Sequence, residues 1–277
     1  MADKFETLID LIAHLADYGD RPALITLTKQ DVQQHSFREL SQRVESLARG
    51  LHSRGIRDGA RVALLADNSP QWLALALAAI RAGGVTMPLD GQMEQDNLKS
   101  VLKDGEPSLL FTGETGARRV AELGLEESFE VIRLDREEGE DSWRRLLDGE
   151  HGQSPPAANP ENTAVLFYTS GTTGPPKGVP LKHRNLVFQL NTIRQSDILR
   201  EGDRILMPLP LHHVYPFALG LMVPLGMGLP LIFPHSRTGP QIVRAIREGE
   251  TTVVLGVPRL YSALYQGIQS RAESAGR

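Results

Sequence analysis

The run from Tyr168 to Gly178, Tyr-Thr-Ser-Gly-Thr-Thr-Gly-Pro-Pro-Lys-Gly, constrains this chain more than any other stretch. Its glycines at 171, 174 and 178 allow a backbone that turns sharply and approaches a ligand closely. Backbone N–H groups and the hydroxyls of Thr169, Ser170, Thr172 and Thr173 are donors suited to phosphate oxygens, and Lys177 adds a point positive charge. Pro175 and Pro176 stiffen the loop and reduce the entropy lost on ordering it around a ligand. The apolar run Thr163 to Tyr168 before it reads as a buried strand, and Gly178 to Lys182 reads as a short second strand. The loop therefore joins two strands as a hairpin lid would. It is not a Gly-Lys-Ser/Thr loop that opens a helix, nor a Gly-x-Gly-x-x-Gly turn directly after a strand.

Strands and helices alternate on both sides of this loop. Strands are expected at Arg21 to Thr26, Arg61 to Ala66, Val85 to Leu89 and Ser108 to Thr112. Ser36 caps a helix over Phe37 to Ser53, on which Leu40, Val44, Leu47 and Leu51 share one face. Ser69-Pro70 opens a second helix that runs through Ala82 to the stop Gly83-Gly84. A polar helix follows at about Glu94 to Lys103. Gly113 to Asp148 is acidic and less regular, with Glu130 to Leu134 as an edge strand. Beyond the loop come a helix near Arg184 to Gln195, strands at Arg204 to Pro208, Pro230 to Phe233 and Thr251 to Leu255, and helices near Pro216 to Val223, Pro240 to Glu248 and from Pro258 onward. The pattern predicts an α/β fold with mostly parallel sheets and right-handed crossovers. The Pro-rich stretch 149–162 reads as a linker, dividing a first α/β subdomain (1–160) from a second (161–277) that carries the loop.

Composition narrows the function. The hydrophobic share is 40% and the charged share 23%, ordinary for a globular protein. A net charge of −4 gives no basic footprint for nucleic acid. The absence of cysteine excludes disulfides and thiolate chemistry and fits a cytoplasmic location. Met1 to Glu6 lacks the basic start and apolar run of a signal peptide. Ile205 to Pro234 carries no Asp, Glu, Lys or Arg, but Pro208, Pro210, Pro216, Pro224, Pro230 and Pro234 interrupt it. It therefore reads as strand, helix and strand in a buried core, not as a span of about 20 apolar residues. Peripheral membrane contact stays open.

Thr169 to Gly178 resembles the signature loop of the adenylate-forming (AMP-binding) superfamily, whose members include acyl-CoA synthetases, peptide-synthetase adenylation domains and luciferases. Leu209-Pro-Leu-His-His-Val-Tyr215 resembles the second core motif of acyl- and aryl-CoA synthetases. Val257-Pro-Arg-Leu-Tyr-Ser262 resembles the segment that follows it and leans toward the long-chain fatty acid–CoA ligases. The likeness covers most of the chain and is weakest at about 110–160.

The resemblance implies ATP-dependent activation of a carboxylic acid, most simply a fatty acid, to an acyl-adenylate, then transfer to CoA with release of AMP. It places Tyr168, Thr169, Ser170, Gly171, Thr172, Thr173, Gly174 and Lys177 on ATP, with Lys177 and His213 in catalytic roles. His213 and Tyr215 would line the carboxylate pocket; His212 competes for the role, and the His-Val-Tyr register favours His213. His183 and Asn185 match a structural segment after the loop, where Lys182 stands in place of the usual Ser or Thr cap. Mg²⁺ is expected with the ATP, but no metal ligand is assigned: the Tyr-Gly-x-Thr-Glu segment that carries the glutamate is not in the sequence. Neither are the ribose aspartate, the hinge and the small C-terminal domain, which in relatives follow the position of Arg277. The expectation is the N-terminal part of an acyl-CoA synthetase, binding ATP weakly and turning over little by itself. The alternatives are an acyl-carrier-protein ligase or other adenylating enzyme, and a non-catalytic nucleotide- or acyl-binding protein if the chain is naturally 277 residues.

Overall fold

The computed structural model describes residues 5–57, 59–125, 127–147, 159–169 and 174–275. Its elements run α1 (Leu8–His14), β1 (Pro22–Leu27), β2 (Val32–Ser36), α2 (Phe37–Ser53), β3 (Arg61–Leu65), α3 (Pro70–Arg81), β4 (Val85–Pro88), α4 (Gln95–Gly105), β5 (Leu109–Thr112), α5 (Glu114–Ala121) and β6 (Glu130–Arg133). They continue with β7 (Thr163–Thr169), β8 (Lys177–Lys182), α6 (His183–Arg194), β9 (Ile205–Leu206), a π-helical segment Pro216–Met222, α7 (Val223–Gly226), β10 (Leu231–Phe233), α8 (Gly239–Glu248), β11 (Val253–Val254) and α9 (Pro258–Ala275). The fold is α/β, as the alternation predicts.

Local signals set several of these boundaries. Ser36 Oγ accepts from Glu39 N and the Glu39 carboxylate accepts from Ser36 N, a reciprocal cap that starts α2 at its expected first residue. Ser69 Oγ accepts from Trp72 N, and Pro70 takes the first helical position of α3, where it forfeits no intrahelical bond. Gly83, at φ 87°, and Gly84 then close α3 by donating to Ile80 O and Ala79 O.

The strands form two sheets. One has the order β6-β5-β3-β4-β7-β8 and is parallel except for β8; the other has the order β11-β9-β10-β1-β2 and is parallel except for β2. Side-chain alternation sorts the core into layers. Val62 and Leu64 of β3 and Leu109 and Phe111 of β5 face a central layer, as do Leu24 of β1 and Leu231 and Phe233 of β10. Ala63, Leu65 and Leu110 face outward onto α4 with Leu98, Val101 and Leu102, while Ile25, Leu206 and Ile232 face outward onto α8 with Ile242 and Ala245. Helix α3 lies in the central layer, and its residues Trp72 to Ile80 are all buried, which is why its sequence is apolar on every side.

The expected division near residue 160 does not follow the sheets. β7 and β8 join the sheet built by β3, β4, β5 and β6, while β1 and β2 join the sheet built by β9, β10 and β11. Parallel neighbours are reached by crossovers, so the chain leaves one sheet and returns to it, and a linker in the sequence need not mark a seam in the core. Three further elements were not expected. β2 is a polar, largely exposed edge strand (Val-Gln-Gln-His-Ser), α5 buries only Val120, and α1 is a short helix with a Thr7–Asp10 reciprocal cap. The apolar run 205–234 supplies β9, the π-helical segment, α7 and β10, and Phe217, Leu221, Met222 and Leu225 are fully buried. Among the described residues no helix is long and apolar enough to cross a membrane.

Candidate active site

The described residues on either side of the 170–173 stretch form a hairpin. β7 and β8 pair antiparallel, with Tyr168 opposite Gly178 and Thr169 opposite Lys177, so the pairing holds Lys177 beside the last strand residue before the loop. Ser170, Gly171, Thr172 and Thr173 lie outside the described residues. Thr169, Gly174 and Lys177 are exposed. Tyr168 behaves differently: its hydroxyl donates to Asp104 Oδ2 at 2.7 Å, near the end of α4. Burial and then the Asp104 carboxylate push the phenol pKa up, so it stays a donor. Arg61 donates to Gly105 O at 2.7 Å and ties the same turn to the start of β3.

The hairpin base opens on a cavity of about 940 Å³ lined by Arg61, Asp104, Leu166, Lys177, Gly178 and His183 among others. His183 is 4% exposed, and its Nδ1 accepts from Leu8 N at 3.2 Å, joining the start of α6 to the start of α1. Burial lowers its pKa to about 4. Lys182, at the N-cap of α6, has no side-chain acceptor to offer the helix; its backbone N–H donates to Asn185 Oδ1 at 2.9 Å and its ammonium pairs with Glu161 at 2.8 Å.

A second cavity, also about 940 Å³, lies at the carboxyl ends of strands from both sheets, the usual place for a ligand crevice in open α/β folds. Asp67 and Asn68 follow β3, Asp90 follows β4, Pro208 and Pro210 follow β9, and His235 and Arg237 follow β10. His212 and His213 line it too, with ring centroids 4.3 Å apart. His212 Nε2 is 3.9 Å from Asp90 Oδ1, while burial and then His213 lower the His212 pKa to about 4. His213 is exposed. Tyr215 is 39% exposed and donates to Gly256 O at 3.4 Å, leaving the two histidines as the ring groups of motif 209–215 on the crevice wall. Lys177 and His213 thus line separate cavities. Among the described residues no group of three or more His, Cys, Asp or Glu is placed to hold a metal ion, and no step is assigned to Mg²⁺.

Sequence reasoning missed Asp104 and Asn68. Asn68 Nδ2 donates to Leu209 O at 2.7 Å, and Leu211 N donates to Asn68 Oδ1 at 2.9 Å. Neither residue carries a local signal for this, because each partner is remote in the chain.

The π-helical segment explains how the 209–215 motif leads into the core. Val223 N donates to Ala218 O, five residues back, and Pro224 has no N–H with which to continue an α-helical ladder. Gly220 lies so close to its neighbours that a Cβ there would stand 2.6 Å from Leu255 Cδ2 and 2.7 Å from Met207 Sδ. Its lack of a side chain serves close packing; the space it leaves is filled.

A parallel α/β protein with a crevice at the carboxyl ends of two sheets has the architecture in which open α/β folds usually place their ligand sites. More narrowly, the chain belongs to the AMP-binding enzyme family, whose model matches residues 11–276. It is 32% identical over 231 residues to a feruloyl-CoA synthase of Amycolatopsis sp., covering 83% of this chain and 45% of that protein. It is 29% identical over 250 residues to a long-chain-fatty-acid–CoA ligase of Mycobacterium tuberculosis, covering 86% of this chain and 41% of that one. The chain thus spans less than half the length of these curated relatives. Among solved structures, ATP-bound MatB from Rhodopseudomonas palustris matches with a TM-score of 0.81 and 28% identity, over 93% of this chain and 51% of that one. A long-chain-fatty-acid-CoA ligase from Archaeoglobus fulgidus shares the fold, with a TM-score of 0.87 and 23% identity over 97% of this chain and 55% of that one.

Proposed function

We propose that this chain is the ATP- and carboxylate-binding part of an acid–thiol ligase that activates a fatty acid as an acyl-adenylate and passes it to CoA. The observation that carries the reading is the signature loop on the β7–β8 hairpin with Lys177 at its mouth, in a chain matched almost end to end by the AMP-binding family model. A carboxylate oxygen attacks the α-phosphorus of ATP; that P–O bond forms, the bond to the β-phosphate oxygen breaks, and pyrophosphate leaves. The thiol sulfur of CoA then attacks the acyl carbonyl, AMP leaves with its phosphate oxygen, and the thiol proton passes to solvent. In this scheme Lys177 and the loop hydroxyls hold the leaving pyrophosphate, where charge develops as the bond breaks. His213 donates to the carboxylate or to the α-phosphate oxygens, and Tyr215 walls the acyl side. Mg²⁺, when bound with ATP, would neutralise part of the phosphate charge.

The choice of a fatty acid rests on relatives such as the mycobacterial ligase and on Val257 to Tyr261. The test is carboxylate-dependent ATP–pyrophosphate exchange by the gene product purified from its native host, with a panel of saturated fatty acids, aryl acids and short polar acids. Exchange stimulated most by fatty acids is expected. Preference for an aryl or short polar acid would overturn the fatty-acid part, and no exchange with any acid would overturn the whole. Comparing CoA with an acyl-carrier protein as acceptor separates the two ligase types, and the same assay on residues 1–277 alone measures how much activity this part carries; little is expected.

A further inference from the structure

The crevice wall that carries His212 and His213 is an unusual piece of backbone. β9 stops at Leu206, and the next residues read Met207-Pro-Leu-Pro-Leu211. Pro208 and Pro210 have no N–H, so this stretch cannot extend the parallel ladder into the crevice. Yet Leu209 and Leu211 are 8% and 0% exposed, and buried backbone groups require partners. Asn68 supplies them. Its amide has one donor end and one acceptor end, and it meets Leu209 O at 2.7 Å and Leu211 N at 2.9 Å as a neighbouring strand would. Asn68 belongs to the other sheet: it follows β3 and directly precedes Ser69, the N-cap of the buried helix α3. The side chain therefore carries the rigidity of α3 across the crevice to the residue immediately before His212.

We propose that Asn68 is a positioning residue for carboxylate activation, fixing the backbone from Leu209 to Leu211 so that His212 and His213 face the crevice between the two sheets. The proposal rests on the functional reading above for the reaction it serves, and on the two hydrogen bonds for the geometry. Two other contacts span the same crevice, His212 to Asp90 at 3.9 Å and Arg237 to Asp67 at 3.8 Å, but Asp67 is largely exposed and both separations exceed hydrogen-bond length. Asn68 is the bridge with short, directed bonds to the backbone itself.

The test compares wild-type protein with Asn68→Ala, using the gene product as its host makes it, in two readouts. The first needs no turnover. The His212 ring has His213, Asp90, Arg237 and Asp67 as its charged and titratable neighbours, and burial and then His213 lower its pKa to about 4. Freed of Asn68, the 209–211 backbone lets the ring reach water, and its NMR titration midpoint moves up toward the ordinary histidine value of about 6.5. An unmoved midpoint in a folded variant overturns the proposal. The second readout is ATP–pyrophosphate exchange. We expect kcat to fall roughly 10–100-fold, with KM for ATP within about twofold of wild type, because the proposed phosphate loop belongs to the β7–β8 hairpin, apart from Asn68 and 209–211. Unchanged kcat, or a fall matched by an equal loss of ATP affinity, also overturns it. If wild-type protein supports no exchange with any carboxylate, the functional reading fails while the ring titration still judges Asn68. Should Asn68→Ala not fold, Asn68→Ser, which keeps one hydrogen-bonding group, is judged by the same two readouts with smaller expected changes.

Discussion

The Tyr168 hydroxyl donates to Asp104 Oδ2 at 2.7 Å, and this bond ties the last turn of α4 to β7, the strand that runs into the Ser/Thr/Gly-rich motif. Tyr168 sits one residue before the strand end at Thr169, and the loop begins directly after. Its ring packs on the outward face of the sheet with Leu166, against the cluster of Met87, Leu98 and Leu102. Tyr168 thus anchors the end of β7 to α4.

Tyr168→Phe keeps the ring and removes the bond. Asp104 is exposed and regains water, so the stability loss should be small, about 0.5–1.5 kcal/mol in urea unfolding. ATP affinity, measured by calorimetry on the wild type and the variant, should weaken severalfold as the loop base loosens. Equal affinity in both would show that the strand pairing alone, Tyr168 with Gly178 and Thr169 with Lys177, holds the loop.

Lys177→Ala separates the loop's charge from its shape. Lys177 is exposed and begins β8, so its removal should leave the fold within about 0.5 kcal/mol of wild type. A charge-assisted contact to phosphate contributes about 1.5–3 kcal/mol, so ATP affinity should drop roughly 10–100-fold. Lys177→Arg should recover part of that loss, since the charge stays and its geometry changes. Wild-type affinity in Lys177→Ala would remove Lys177 from the phosphate site.

What the sequence made legible was whatever is encoded over a few residues. The Ser36–Glu39 cap, the Ser69-Pro70 start and the Gly83-Gly84 stop each act within one helical turn, and the helices begin and end where those signals stand. The β7–β8 hairpin was legible because both of its strands flank the loop directly. Long-range pairing was not. Nothing local in Asn68 points to Leu209, and nothing in Asp104 points to Tyr168. β2 gave no apolar alternation because it is an edge strand with mostly exposed side chains, and α5 gave no stripe because it buries one residue. The linker at 149–162 likewise says nothing about sheet membership, which is decided by crossovers and not by composition.

Gly220 tests whether the π-helical segment is core or acyl tunnel. A Cβ there would stand within 2.7 Å of both Leu255 Cδ2 and Met207 Sδ, so these side chains must shift, and Met207 is buried. Gly220→Ala should therefore destabilise by about 1–3 kcal/mol through overpacking and leave the preferred acyl chain length unaltered in the exchange assay. A changed chain-length profile at wild-type stability would mean that the glycine borders the acyl site.

His183 gives the fold an acid-sensitive joint. Its ring must be neutral at Nδ1 to accept the Leu8 N–H, and burial holds its folded pKa at about 4, against about 6.5 in the unfolded chain. A depressed folded pKa means that the neutral ring's contribution is complete above pH ~6.5 and is lost as pH falls from there toward 4. The ceiling on that loss is about 3 kcal/mol. His212, also lowered to about 4, adds a loss of the same sign. His183→Gln can still present an oxygen to Leu8 N but cannot be protonated. Urea unfolding of wild type and His183→Gln at pH 7 and pH 4.5 measures the difference directly. The variant should lose less stability than wild type between the two pH values, while His212 and the paired carboxylates keep its curve from becoming flat. Parallel losses in both proteins would show that the α1–α6 joint does not titrate through His183.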